Sequence, residues 1–105
     1  MLQDTKPINS YRWCFTLNNW TEEEETFLKG FNDMRYMVYG YEGNEEDQTK
    51  HLQGYIVFNC AKRLTGVKKL LNRAHWEIAK GSTEQNVTYC CKEKNYFETG
   101  LDFLY

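Results

Sequence analysis

His51-Leu52-Gln53 opens the run HLQGYIVF, and the residue types at this spacing could hold a metal ion. In an extended strand His51 and Gln53 share one face while Leu52 and Ile56 share the other. An imidazole nitrogen and an amide oxygen are both acceptors for a divalent cation. Glu42, at the end of the apolar run MVYGYE, would add a carboxylate. Such an N/O/O set leaves coordination positions open for a substrate oxygen. A His-x-Gln pair alone is a weak motif, and its weight comes from the rest of the chain. Tyr89 and Lys92 lie three residues apart near the C-terminus, and helical spacing gives them one face, shared with Gln85 a turn earlier. A tyrosine hydroxyl attacks poorly at neutral pH until a neighbouring cation favours the phenolate. Lys92 would be that cation, and a divalent ion across the site would polarise a phosphate oxygen for in-line attack.

These groups need a scaffold, and the sequence suggests one. Residues 1–10 are polar, contain the only proline, and read as a flexible tail. Tyr11–Leu17 is a strand, with Trp13, Phe15 and Leu17 toward a core and Arg12, Cys14 and Thr16 on the working face. Asn18-Asn19 ends it. Thr21 and Glu24 form a capping-box signature for a first helix whose buried stripe is Phe27, Leu28 and Phe31. Glu22 to Glu25 read as solvated residues at its positive N-terminus. Met34–Glu42 and His51–Phe58 form a hairpin across a polar loop, which brings Glu42 beside His51 and Gln53. A basic turn at Cys60–Arg63 leads to a second helix through Leu64, Val67, Leu70 and Leu71. His75–Ile78 is a short strand, in which His75 reads as structural. Gly81 to Gln85 carries the cap of a third helix running to about Lys94, and Tyr96–Thr99 supplies a last strand. This order gives an α+β, ferredoxin-like antiparallel sheet of the kind shared by RNA recognition domains. Two helices would cover one face and the Tyr89 helix the other.

Composition narrows the function. The chain of 105 residues is one domain with enough apolar and aromatic side chains to fold alone. Cys14, Cys60, Cys90 and Cys91 contain no C-x-x-C pair, and without a secretory signal or an apolar span of membrane length they are expected to be reduced thiols inside a cell. The net charge of -2 is mildly against a nucleic-acid binder, yet it is unevenly spread. Residues 1–50 hold 5 basic and 10 acidic side chains, residues 51–105 hold 8 and 5. A polyanion would be steered to the second half, although solvated surface lysines give the same balance. Candidate DNA contacts are Arg12, Asn18, Lys62, Arg63 and Lys80, with Trp13 and Tyr55 competing between stacking and core.

Phe15-Thr16-Leu17-Asn18-Asn19, His51-Leu52-Gln53-Gly54-Tyr55 and Tyr89-Cys90-Cys91-Lys92 together resemble the three rolling-circle motifs of the replication initiators of circular single-stranded DNA viruses, circoviruses and cyclovirus-like relatives especially. The likeness runs from about Tyr11 to Gly100. It implies an HUH-type endonuclease whose second metal histidine is replaced, here by Gln53. It also implies Glu42, His51 and Gln53 as ligands of manganese or magnesium, Tyr89 as nucleophile and Lys92 as its supporting lysine. Such enzymes nick a stem-loop origin in single-stranded form, stay attached to the 5′ phosphate, and later rejoin the strand. The resemblance further implies work in the host nucleus and a helicase domain in the full-length protein. No G-x-x-x-x-G-K-[ST] occurs here, so this stretch is expected to be the N-terminal domain, with residues 101–105 beginning a linker. No catalytic use is expected for Cys90 or Cys91. The competing readings are a non-catalytic single-strand binding module of the RNA-recognition type, although its aromatic-rich motif is absent from the third strand, and a structural zinc protein.

Overall fold

Strand alternation divides the molecule into two faces. The computed structural model describes residues 8–100; the expected tail through residue 7 and the expected linker at 101–105 lie outside the described residues. In order the elements are β1 (Asn9–Asn18), α1 (Glu22–Gly30), β2 (Met34–Glu42), β3 (His51–Arg63), α2 (Leu64–Leu70), β4 (His75–Ile78), α3 (Thr83–Cys90) and β5 (Tyr96–Gly100). The sheet order is β4-β1-β3-β2-β5, antiparallel throughout, an α+β arrangement consistent with the ferredoxin-like expectation.

One face carries the main core. Trp13, Phe15 and Leu17 of β1 pack with Met37, Tyr39, Leu52, Ile56 and Trp76, and Leu28 of α1 and Val67 of α2 join the same cluster. A fully buried side chain of this size contributes on the order of 1.5 to 3 kcal/mol. Gly54 is part of this packing, because a Cβ there would meet the Phe15 ring at 2.1 Å. The residues of opposite parity, Tyr36, Val38, Tyr55 and Val57, form a second cluster with Cys90 and Val87 of α3. A capping box between Ser82 and Gln85 starts α3, as one between Thr21 and Glu24 starts α1.

Five local expectations are corrected. β1 begins at Asn9 rather than Tyr11, and the expected turn at Cys60–Arg63 is strand, because Asn9 pairs with Arg63 and Ser10 with Lys62. No glycine or proline interrupts that stretch, and an irregularity between Ser10 and Arg12 absorbs the change of register. α3 stops at Cys90, four residues short of Lys94, since Cys91 to Asn95 reverse the chain and Lys94 has a φ of +65°. Phe27 is 42% exposed and stacks on half-buried Phe31 at the surface, leaving Leu28 as the buried residue of α1.

Glu25, the fifth, is not a solvated helix-end charge. It accepts hydrogen bonds from both Tyr39 (3.0 Å) and Tyr41 and pairs with Lys29, tying α1 to β2. Burial first, and then the bond to this carboxylate, push the Tyr41 hydroxyl up to about 12 and so keep it a donor.

Nearby, Arg73 grips both oxygens of Glu24 at 2.9 and 2.7 Å and also donates to the Asn19 carbonyl. The arginine bond is the leading cause holding the Glu24 carboxyl below the usual carboxylate range. A lowered folded value gives stability that is present above the unfolded value and fades as pH falls through the folded one. Because the pair is largely solvated, Arg73→Ala is expected to lower stability only slightly near neutral pH, with the difference from wild type shrinking in acid. Urea unfolding at several pH values measures this.

Candidate active site

β2 and β3 pair Glu42 directly with His51 and Gly40 with Gln53, so hairpin register alone puts the candidate ligands on one face. His51 Nε2 lies 3.2 Å from Glu42 Oε1, and His51 Nδ1 lies 3.0 Å from the Thr49 carbonyl oxygen. A neutral imidazole has one N–H, yet both ring nitrogens here face acceptors. With Nδ1–H given to Thr49, the Nε2 lone pair and the carboxylate need a shared proton or a shared cation. That donor set, with the ring oriented by a carbonyl behind it, fits a divalent metal.

Lys92 completes the contacts of Glu42. Its ammonium lies 2.5 Å from Glu42 Oε2 and 3.8 Å from the centre of the Tyr89 ring, and it donates to the Tyr89 carbonyl at 3.4 Å. Lys92 sits in the turn just after α3 rather than on the helix, so it meets the ring face and the carboxylate instead of the tyrosine oxygen. Tyr89 is 54% exposed, and its hydroxyl makes no hydrogen bond among the described residues. That is unlike a core tyrosine.

Gln53 lies on the same face, two residues along from His51, but its side chain is turned toward β1. Its Oε1 accepts from Thr16 at 3.2 Å and its Nε2 faces the Phe15 carbonyl at 3.5 Å. Together with Tyr89 it lines an open cavity of about 420 Å³. Glu42 and His51 line a neighbouring polar cavity of about 810 Å³ at the hairpin mouth. Among the described residues no three of His, Cys, Asp and Glu group to hold a metal, and Gln53 lines a different cavity from Glu42 and His51.

The thiols of Cys14 and Cys90, on the side of the sheet that α3 covers, do not compete with Tyr89. Burial, followed by neighbouring Glu77, pushes Cys14 up to about 11, and burial pushes Cys90 up to about 12. Both remain thiols near neutral pH.

The candidate DNA contacts are spread out. Asn18 is exposed at the end of β1, opposite His51 in register. Arg12 donates to the Tyr55 hydroxyl at 3.3 Å, and Lys62 pairs with Asp33 at 3.6 Å. Arg63 and Lys80 line a cavity of about 680 Å³ beside Trp13 and Trp76. Trp13 and Tyr55 are buried, which assigns both to packing.

A family described as putative viral replication protein matches residues 10–93. The chain belongs to this family. It is 52% identical over 97 residues to the Para-Rep C2 of Subterranean clover stunt C2 alphasatellite, covering 89% of this chain and 34% of that protein. Identity to the replication-associated protein of Canary circovirus is 46% over 90 residues (84% of this chain, 31% of the relative), and to that of Pigeon circovirus 50% over 92 residues (84% and 28%). The chain therefore spans about a third of the length of these curated relatives. The resemblance to replication initiators of circular single-stranded DNA viruses holds, and the viral replication protein match includes every candidate residue from Arg12 to Lys92.

Within this viral replication domain one positioning residue escaped the sequence reading. A Cβ on Gly40 would lie 2.1 Å from the Cys90 carbonyl oxygen, so only glycine lets the end of α3 settle on β2 and hold Tyr89 beside Glu42. A glycine inside an aromatic-rich strand is the available signal, since it marks close backbone approach. Gly40→Ala is expected to cost about 1 to 3 kcal/mol by overpacking. If the domain nicks DNA, the same change should slow it by roughly 10²-fold through displacement of α3. Thermal unfolding together with single-turnover cleavage separates the two effects.

Proposed function

We propose that this domain is a metal-dependent nuclease and strand transferase that nicks and rejoins single-stranded DNA at a stem-loop replication origin. The observation that carries the reading is the convergence of Glu42, His51, Lys92 and an exposed Tyr89 on one face of the sheet. Replication-associated relatives give the same direction.

In the nicking step Tyr89 Oη bonds to phosphorus and the bond from phosphorus to the 3′ oxygen breaks. The phenolic proton leaves the ring, and the departing 3′ oxygen gains a proton. The 5′ phosphate stays on the tyrosine as a phosphodiester, so a later 3′ hydroxyl can reverse the exchange without an external energy source. Glu42, His51 and Gln53 would hold manganese or magnesium, which when bound supplies Lewis-acid stabilisation of the charge growing on the phosphate. Lys92 holds Glu42 and covers the Tyr89 ring, which fixes the nucleophile relative to the ligand pair. Action in the host nucleus and union with a helicase domain belong to the same proposal.

The alternative of a binding module that stacks bases on the sheet is disfavoured by packing. Tyr36 and Tyr55 on the working face are buried with α3 residues over them, which leaves exposed Tyr96, opposite Gly40 on the edge strand β5, as a sheet aromatic on that face. The test is incubation with origin single-stranded DNA and manganese, with and without a chelator. Cleavage that the chelator stops, with the fold intact by circular dichroism, is the expected result; an intact oligonucleotide under both conditions contradicts the proposal.

A further inference from the structure

His75 was expected to be structural, and its surroundings say otherwise. Its side chain is 71% exposed, and Nε2 lies 3.0 Å from Glu77 Oε2, whose side chain is 69% exposed. A histidine holding the fold together would be packed. These two residues alternate with buried Trp76, so they point to the working face. The sheet register then places them precisely enough to compare with the candidate site. His75 pairs with Thr16, Thr16 with Gln53 and Gln53 with Gly40, forming one row across four strands. With strands about 4.8 Å apart, His75 stands roughly 10 Å from Gln53 along that row.

The same residues form the wall of the cavity that Tyr89 and Gln53 line, and Lys80 stands at its rim. Two of the lining amides are already committed. Asn86 donates to the Lys80 and Ser82 carbonyls at 2.8 Å and faces the Cys14 thiol at 3.1 Å, while Gln53 is bonded to Thr16. Asn86 thereby fixes the backbone that carries Lys80. Glu77 Oε1 and the Lys80 ammonium have no hydrogen-bond partner among the described residues. The bond to His75 is the leading cause holding the Glu77 carboxyl below its ordinary value, so it is an acceptor at neutral pH.

We propose that this cavity between β4 and α3 holds the nucleotide next to the scissile phosphodiester, with Glu77 accepting from an exocyclic amino group of its base and Lys80 contacting its phosphate. The inference rests on the nuclease reading for its substrate and adds the base preference. A carboxylate rewards an amino donor, which adenine, cytosine and guanine carry and thymine lacks. His75 is a positioning residue here, since it occupies one carboxylate oxygen and orients the other. One such contact is worth roughly 5- to 150-fold in discrimination.

The test uses short single-stranded oligonucleotides carrying the nicked origin sequence, with each of the four bases in turn at the positions flanking the nick. Binding is measured in a Tyr89→Phe background so that the DNA stays whole. The expected result is at least a tenfold preference for an amino-bearing base over thymine at one flanking position, on the scale of a single specific contact. Glu77→Gln should reduce that preference to within about twofold and leave other positions unchanged. Lys80→Ala should weaken all oligonucleotides alike and lower the salt slope by about one. Base preferences that Glu77→Gln leaves intact overturn the inference, as does the absence of binding to every oligonucleotide. Nicking by the wild-type chain, scored separately with manganese, reports on the nuclease reading. Cleavage with unaltered preferences in Glu77→Gln would sink the base contact alone. Unchanged thermal unfolding of Glu77→Gln checks that its exposed side chain carries no fold.

Discussion

Tyr89→Phe is expected to bind origin DNA as well as the wild-type chain and to cleave it at least about 10⁴-fold more slowly, as for loss of a nucleophile that acts only in the reaction. The change removes one oxygen atom. The ring stays, and with it the contact to Lys92 at 3.8 Å, so the placement of α3 and the Glu42 pair should not move. The hydroxyl makes no hydrogen bond among the described residues, which means its loss leaves no polar group stranded and stability should change by less than about 0.5 kcal/mol. A separation of this kind, full binding with no chemistry, is what distinguishes a nucleophile from a tyrosine that packs or stacks. Residual cleavage near the wild-type rate would mean that another group attacks phosphorus.

Glu42→Gln is expected to have the second-largest effect, about 10³-fold in single-turnover cleavage, equivalent to several kcal/mol of charge stabilisation. Glu42 is 7% exposed, and its two oxygens face different partners, His51 on one and Lys92 on the other. Glutamine keeps the size but removes the charge that would hold a cation, and it leaves Lys92 facing a neutral amide. Lys92 is partly exposed and can turn to water, so the unfolding midpoint should fall only modestly. The decisive readout is a manganese titration. The variant should need far more metal or fail to respond at all, whereas a purely structural role for Glu42 would lower activity without moving the manganese midpoint.

Much of the candidate site was legible because it depends on register and spacing. The hairpin from Met34–Glu42 to His51 fixes Glu42 opposite His51 as soon as both strands are recognised. Both capping boxes were local signals that the structure repeats. What escaped depends on contacts between residues far apart in the chain. Glu25 looked like one more glutamate at a helix start, and only the packing of α1 on β2 reveals the two tyrosine hydroxyls that it accepts. The stretch Cys60–Arg63 looked like a turn because its basic residues follow an apolar run, yet β1 extends far enough to pair with it. Gly40 and the Glu77 wall matter through α3, whose position over the sheet no local pattern records. The placement of Lys92 follows from the early end of α3, set by the chain reversal into β5.

In the proposed reaction the Tyr89 oxygen and a cation held by Glu42, His51 and Gln53 act on one phosphodiester. Peptide mass spectrometry of the chain after incubation with origin single-stranded DNA and manganese tests it most directly. A 5′-phosphorylated DNA fragment linked to the peptide containing Tyr89, present with manganese and missing with chelator, is the expected result. An adduct on any other residue, or cleaved DNA with no adduct at all, would contradict it.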